Sequence, residues 1–231
     1  MAEPTPDAWR RVDTYLTETL VGHDADLESA VAEQNSAGLP AIEVAPVSGK
    51  LLHLLVRISG ARRVLEIGTL GAYSTIWMAR GIPDEGTVVT IEAEPANAAI
   101  ARTNLDRAGV GEKVDIRIGR GDEVLPTLQD EPPFDFVFID ADKESNTIYI
   151  DWAARLGHPG TVVVVDNIGR GGEVANPATT ASHVIGTQRG LEMLGRDPRF
   201  DATALQTLDL KGWDGVAIAV VTDAVASDAA R

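Results

Sequence analysis

The chain of 231 residues carries 20 Lys and Arg against 35 Asp and Glu, a formal net charge of -15 with a pI near 4.6, and contains no cysteine. That length suits one substantial core, the negative charge argues against nucleic acid as a partner, and the missing thiols leave oxygen and imidazole as the donors for any metal. The N-terminus "MAEPTPDAWRRVD" has no apolar signal core and the run "TVVVVD" is too short to cross a bilayer, so a soluble, cytoplasmic protein with no membrane contact is expected.

Residues 7–35 are expected to form two amphipathic helices, with Val12, Leu16 and Leu20 about one turn apart, until "NSAGLPAIEVAP" breaks the pattern. From Pro46 the text becomes regular. "SGKLLHLLVRIS" reads as a helix opened by a Ser cap and "RRVLEIG" as a buried strand. Strand-like "GTVVTIEAE" precedes helical "PANAAIARTNLDRAG", in which Pro95 suits a first turn and Gly109 a stop. Then come the strand "KVDIRIG", a helix near "DEVLPTL", the strand "FDFVFID", a helix from about Glu144 to Leu156, and the strand "TVVVVDN". Five nearly continuous apolar strands separated by helices predict a doubly wound α/β sheet covered on both faces.

Beyond the Gly/Asn/Pro-rich loop "DNIGRGGEVANPATT" lies a helix near 181–195. The strands "ATALQTL" and "GVAIAVV" follow, joined through "DLKGWDG", and they suggest an antiparallel closing pair. The tail "DAVASDAAR" is expected to fray. The whole reads as a single domain, an N-terminal helical extension over 1–45 laid like a lid on an α/β core over 46–222.

Ligands of an open α/β sheet collect at the carboxyl ends of the strands. Those ends carry Glu66 and Gly68, Glu92, Gly121 with Asp122, Asp140, and Asp166 with Asn167. The first turn, "LEIGTLGAYS", reads Glu-x-Gly-x-x-Gly and not the dinucleotide Gly-x-Gly-x-x-Gly. A carboxylate there repels pyrophosphate and attracts a sulfonium. Glu92 is placed to take two ribose hydroxyls, so the pair points to S-adenosylmethionine, although the glycines alone would also serve a tight strand-to-helix turn. Asp140, Asp166 and Asn167 are three hard oxygen donors on neighbouring strand ends, suited to Mg2+ with vacant positions for substrate; an Asp-Asn pair after a strand is also an ordinary turn.

These motifs, densest in "VLEIGTLGAYSTIWMAR", "FDFVFIDADK", "VVVVDN" and "KGWDG", resemble the cation-dependent, S-adenosylmethionine-dependent O-methyltransferases that include catechol and caffeoyl-coenzyme A O-methyltransferases. The resemblance runs over roughly 40–221. It implies a seven-stranded Rossmann-like sheet with an antiparallel last strand, and a homodimer. It also implies cofactor contacts at Val44, Glu66, Gly68, Thr69, Ser74, Glu92, Gly121 and Asp142, metal ligands at Asp140, Asp166 and Asn167, and a catalytic lysine at Lys143, as base or as positioning group. The implied reaction is methyl transfer to one hydroxyl of a small vicinal diol, most simply a catechol. Ala72 stands where the family often has Gly, and the segment after Asn167 lacks the aromatic-rich loop of the plant enzymes, which with the acidic charge disfavours coenzyme A esters. Rival readings are a nicotinamide-dependent oxidoreductase, an RNA or protein methyltransferase, and a non-catalytic cofactor-binding module. The four histidines, His23, His53, His158 and His183, receive no role, nor does the "RGD" at 120–122; Trp213 is either a pocket border or a hairpin anchor.

Overall fold

A computed structural model describes residues 5–223, so the tail beyond 223 lies outside the described residues. Five parallel strands, β1 (Arg63–Ile67), β2 (Thr87–Glu92), β3 (Val114–Ile118), β4 (Phe136–Ile139) and β5 (Val162–Asp166), are followed by β6 (Phe200–Asp209) and β7 (Gly212–Val221). They form one sheet in the order β3-β2-β1-β4-β5-β7-β6, in which β7 runs antiparallel to both of its neighbours. The expected seven strands with an antiparallel last strand are present.

The apolar strands are continuous because both faces are covered. Successive side chains of a strand point to opposite faces. In β4, Phe136 and Phe138 enter one layer with Val56, Met78 and Leu105, while Val137 and Ile139 enter the other with Leu125, Tyr149 and Ile150. The first layer is supplied by α2 (Ala25–Ser36), α3 (Pro46–Ser59), α4 (Tyr73–Ala79) and α5 (Pro95–Arg107). The second comes mainly from α7 (Asn146–Leu156) and α8 (Ser182–Arg196). A four-residue helix, α6 (Gly121–Val124), follows β3.

Three local expectations are corrected. Helix α3 starts at Pro46 with Ala45 in an extended conformation ahead of it, so its entry is set by the fixed φ of proline and not by a Ser48 cap. The segment "DLKGWDG" is mostly strand: pairing runs to Asp209↔Gly212, leaving only Leu210 and Lys211 in the turn, with Gly212 at φ 124. The first helix, α1 (Pro6–Leu16), continues into a π turn, but its apolar stripe faces outward, Val12 being 57% and Leu20 67% exposed. The residue α1 buries is Asp13, whose Oδ2 accepts from the Leu210 N–H at 3.1 Å, and that bond fixes the helix's roll against the β6–β7 turn.

Winding reverses between β1 and β4, and the reversal opens a crevice at their carboxyl ends. Gly68 makes the approach possible. Its φ is 99, and a Cβ there would strike the Asp140 carbonyl.

Candidate functional site

The crevice is a cleft of about 760 Å³. One wall is the turn from Gly68 to Ala72, in which Gly68, Leu70 (φ 52) and Ala72 (φ 66) all have positive φ. A left-handed non-glycine residue costs about 1–2 kcal/mol. Ala72 bears that strain, of which a glycine would be free. The turn is held by Glu92, whose Oε2 accepts from the N–H groups of Thr69 (3.3 Å) and Leu70 (2.7 Å) while Oε1 accepts from Glu94 N–H (3.0 Å) and Asn97 Nδ2 (3.2 Å). Glu92 lines the cleft with Val44, Gly68, Thr69, Ser74 and Gly121.

Glu66 is placed differently. It is fully buried and does not line the cleft; its carboxylate accepts from Ser74 Oγ (2.5 Å), Thr75 Oγ1 (2.5 Å) and Thr90 Oγ1 (2.7 Å). Burial pushes it up to about 7 although the three hydroxyls pull the other way. Sealed beneath the floor, Glu66 reaches the cleft only through Ser74, which it orients.

At the end of β4 the chain makes a 3-10 turn, Lys143–Ser145, that folds Lys143 back onto Asp140. Lys143 is 6% exposed and its Nζ donates to Asp140 Oδ1 at 2.8 Å. Asp142 accepts from Ser145 Oγ and Tyr149 OH, both at 2.5 Å. Burial raises the Asp142 carboxyl, but those donors and Arg120 outweigh it and hold the group below the usual range. Burial and the same bond raise the Tyr149 phenol. A Cβ on Gly121 would meet the Tyr149 ring at 2.7 Å, so the start of α6 must be bare for Tyr149 to reach Asp142.

Asp166 ends β5 one step beyond the register pair Ile139↔Val165, which sets it beside Asp140. Burial first, then the Asp140 charge, push it up to about 7, against Lys143 and the Asn167 N–H. Among the described residues that N–H, at 2.8 Å, is the only hydrogen-bond donor to its carboxylate, and the Asn167 carboxamide has none. Asn167 itself is left-handed, φ 57. No cluster of three His, Cys, Asp or Glu is present among the described residues. The oxygen set here is two carboxylates and a carboxamide, hard donors with Lys143 as the one cation paired to them, and it fits a divalent cation.

The predicted residues are brought together with two exceptions. Glu66 lies below the cleft, and Asp166 lines not the cleft but a smaller adjoining cavity of about 100 Å³ that also touches Val44, Asn167 and Trp213. Sequence reading missed Asn97, Tyr149 and Asp214. Asp214 Oδ1 accepts from the N–H groups of Gly169 (2.7 Å) and Arg170 (3.1 Å), pinning the loop that follows Asn167. Its place in "KGWDG" was the available signal.

A family model described as O-methyltransferase matches residues 20–218. The chain is 51% identical over 210 residues to a catechol O-methyltransferase of Mycobacterium tuberculosis, covering 91% of this chain and 94% of that one. It superposes with a TM-score of 0.92 and 46% identity on an O-methyltransferase from Bacillus cereus in complex with SAH, covering 94% of this chain and all (100%) of the other. The O-methyltransferase TomG from Streptomyces achromogenes, involved in tomaymycin synthesis and in complex with SAM, gives a TM-score of 0.91 at 44% identity, covering 96% and 100%.

Proposed function

The chain belongs to the O-methyltransferase family, and from that membership and the cleft's chemistry we propose that it transfers a methyl group from S-adenosylmethionine to one hydroxyl of a catechol-like vicinal diol with the help of a divalent cation, most simply Mg2+. The observation that carries the reading is the buried Lys143 ammonium on Asp140, beside the under-donated Asp166 and Asn167, at the edge of a cleft whose other end holds Glu92. Family membership leaves the nicotinamide-dependent oxidoreductase without support.

When bound, the sulfonium would supply the methyl group, and a divalent cation held by Asp140, Asp166 and Asn167 would lower the pKa of the diol hydroxyls. The protein does the rest. Glu92 holds ribose hydroxyls at the β2 end, Asp142 and Val44 border the cofactor, and Ser74 is set by Glu66. Lys143 takes or steadies the hydroxyl proton as the oxygen–methyl bond forms and the sulfur–methyl bond breaks, with Asp140 fixing its Nζ. The acceptor is a small molecule. We further propose a homodimer that covers the exposed Leu205 and Leu208 of the edge strand β6 together with Val12 and Tyr15 of α1; sedimentation as a monomer at micromolar concentration would refute it. A soluble protein of the cytoplasm is part of the same proposal; no described helix is long and apolar enough to cross a membrane.

Replacing Glu92 with alanine is expected to weaken S-adenosylmethionine binding about 10–100-fold, the worth of hydrogen bonds to a charged acceptor. Calorimetry on the folded variant measures it, and unchanged affinity would remove Glu92 from the cofactor site. The reaction itself is tested by incubating the protein with S-adenosylmethionine, Mg2+ and a set of diols and identifying the monomethyl ether by mass. No methylated diol across the set would overturn the proposal.

A further inference from the structure

Five acids line the cleft, and every one is already engaged. Glu43 accepts from Gln34 Nε2 at 2.7 Å and Lys211 Nζ at 3.0 Å; Glu92 holds its four donors; Asp140 holds Lys143; Asp142 holds Ser145 and Tyr149; and Glu144 accepts from Ser182 Oγ at 2.7 Å. The cations are not matched in the same way. Lys143 is on Asp140 and Arg120 is on Asp122 at 3.1 Å, but Arg170, which also lines the cleft, makes no ion pair with any described residue. Its Nε is buried and has no hydrogen-bond partner. Arg170 is thus a cleft-lining cation whose charge no described carboxylate compensates.

The fold puts this cation on the acceptor side. Arg170 sits three residues beyond Asn167 on the loop between β5 and α8, whereas the residues assigned to the ribose lie at the β2 end, two strands further across the sheet from β4. The backbone is held there on purpose-built contacts: Asp214 binds the Arg170 N–H, and Arg170 itself is left-handed at φ 51. His183, in the first turn of α8, lines the same flank. A planar guanidinium with unused N–H groups is matched to a carboxylate.

We propose that Arg170 is the specificity-determining residue of the acceptor pocket and that the preferred acceptor is a vicinal diol whose ring carries a carboxylate, as in a dihydroxybenzoate. This rests on the reading of the cleft as a diol methyltransferase site. The carboxylate chemistry has a second source, the methionyl end of the cofactor, so the test separates the two.

Wild type, Arg170→Met and Arg170→Lys are compared on catechol, 3,4-dihydroxybenzoate and its methyl ester, with Mg2+ present. In the wild type kcat/KM for the acid should exceed that for the ester by about 10–100-fold, the range of a charge-assisted pair, with the difference carried by KM. The Met variant should reduce that ratio to near one, and the Lys variant should restore part of it. Calorimetry supplies a readout apart from turnover: 3,4-dihydroxybenzoate should bind the S-adenosylhomocysteine-loaded Met variant at least about tenfold more weakly than wild type, with S-adenosylhomocysteine affinity itself unaltered. Equal rates for acid and ester in the wild type, or a preference that survives in the Met variant, would overturn the proposal. So would a parallel loss of S-adenosylhomocysteine affinity, which would give the carboxylate to the cofactor. If none of the three diols is methylated by wild type, the diol reading falls and takes this one with it; if catechol and ester are methylated without preference for the acid, only the role of Arg170 falls.

Discussion

Replacing Lys143 with methionine is expected to lower kcat for catechol about 10²–10⁴-fold, the range of a positioned general acid or base, while S-adenosylmethionine affinity changes little. The substitution keeps the length and most of the packing of a side chain that is 6% exposed, and it deletes the Nζ that donates to Asp140 at 2.8 Å. A free lysine with a pKa near 10.4 is a poor base, so its use as one demands a neighbouring positive charge or desolvation that favours the neutral amine. The defect should be largest for diols whose hydroxyl is least acidic, and should shrink as an electron-withdrawing ring substituent makes the proton easier to lose. Rates for the variant and wild type across such a series distinguish the two roles. A defect of equal size throughout would make Lys143 a positioning residue.

Much of the fold was legible because the strands advertise their surroundings. "FVFI" is apolar at every position, which only a strand covered on both faces tolerates, and Phe136, Val137, Phe138 and Ile139 are indeed divided between two layers. The charges that follow such runs stand out for the same reason, and the register brings Asp140 and Asp166 to neighbouring strand ends as expected. What escaped depends on three-dimensional partners. "DLKGWDG" has the composition of a loop, yet sheet pairing carries Trp213 and Asp214 into β7 opposite Leu208 and Thr207. The Val12 and Leu20 stripe has the spacing of a buried face, but Asp13 turns it outward by binding the Leu210 N–H. Glu66 looked like a ligand group because nothing local announces that Ser74, Thr75 and Thr90, from two other elements, converge on its carboxylate. Tyr149 reaches Asp142 only because the intervening turn and the start of α7 close the distance, and Gly121 leaves room for its ring.

Removal of the divalent cation is expected to cost about a thousandfold or more in catechol methylation, because in the proposed mechanism both the acidity and the orientation of the diol would depend on it. Cofactor binding should survive, since Glu92 lines the cleft at the β2 end whereas Asp166 lines the smaller adjoining cavity. Asp166→Asn should reproduce the loss at ordinary Mg2+ concentrations. It exchanges one carboxylate of the oxygen set for an amide and lowers the charge that attracts the cation. Calorimetric titration with Mg2+ should show weakened binding in the same variant.

In the proposed mechanism the oxygens of Asp140, Asp166 and Asn167 would hold the cation that activates the diol. The most direct measurement of this is the rate of monomethyl ether formation from catechol by one preparation, first stripped with chelator in the presence of saturating S-adenosylmethionine and then reloaded with Mg2+. Near-zero turnover in the stripped protein, undiminished cofactor affinity by calorimetry and recovery on reloading are the expected results. Full activity in the metal-free protein would contradict that mechanism.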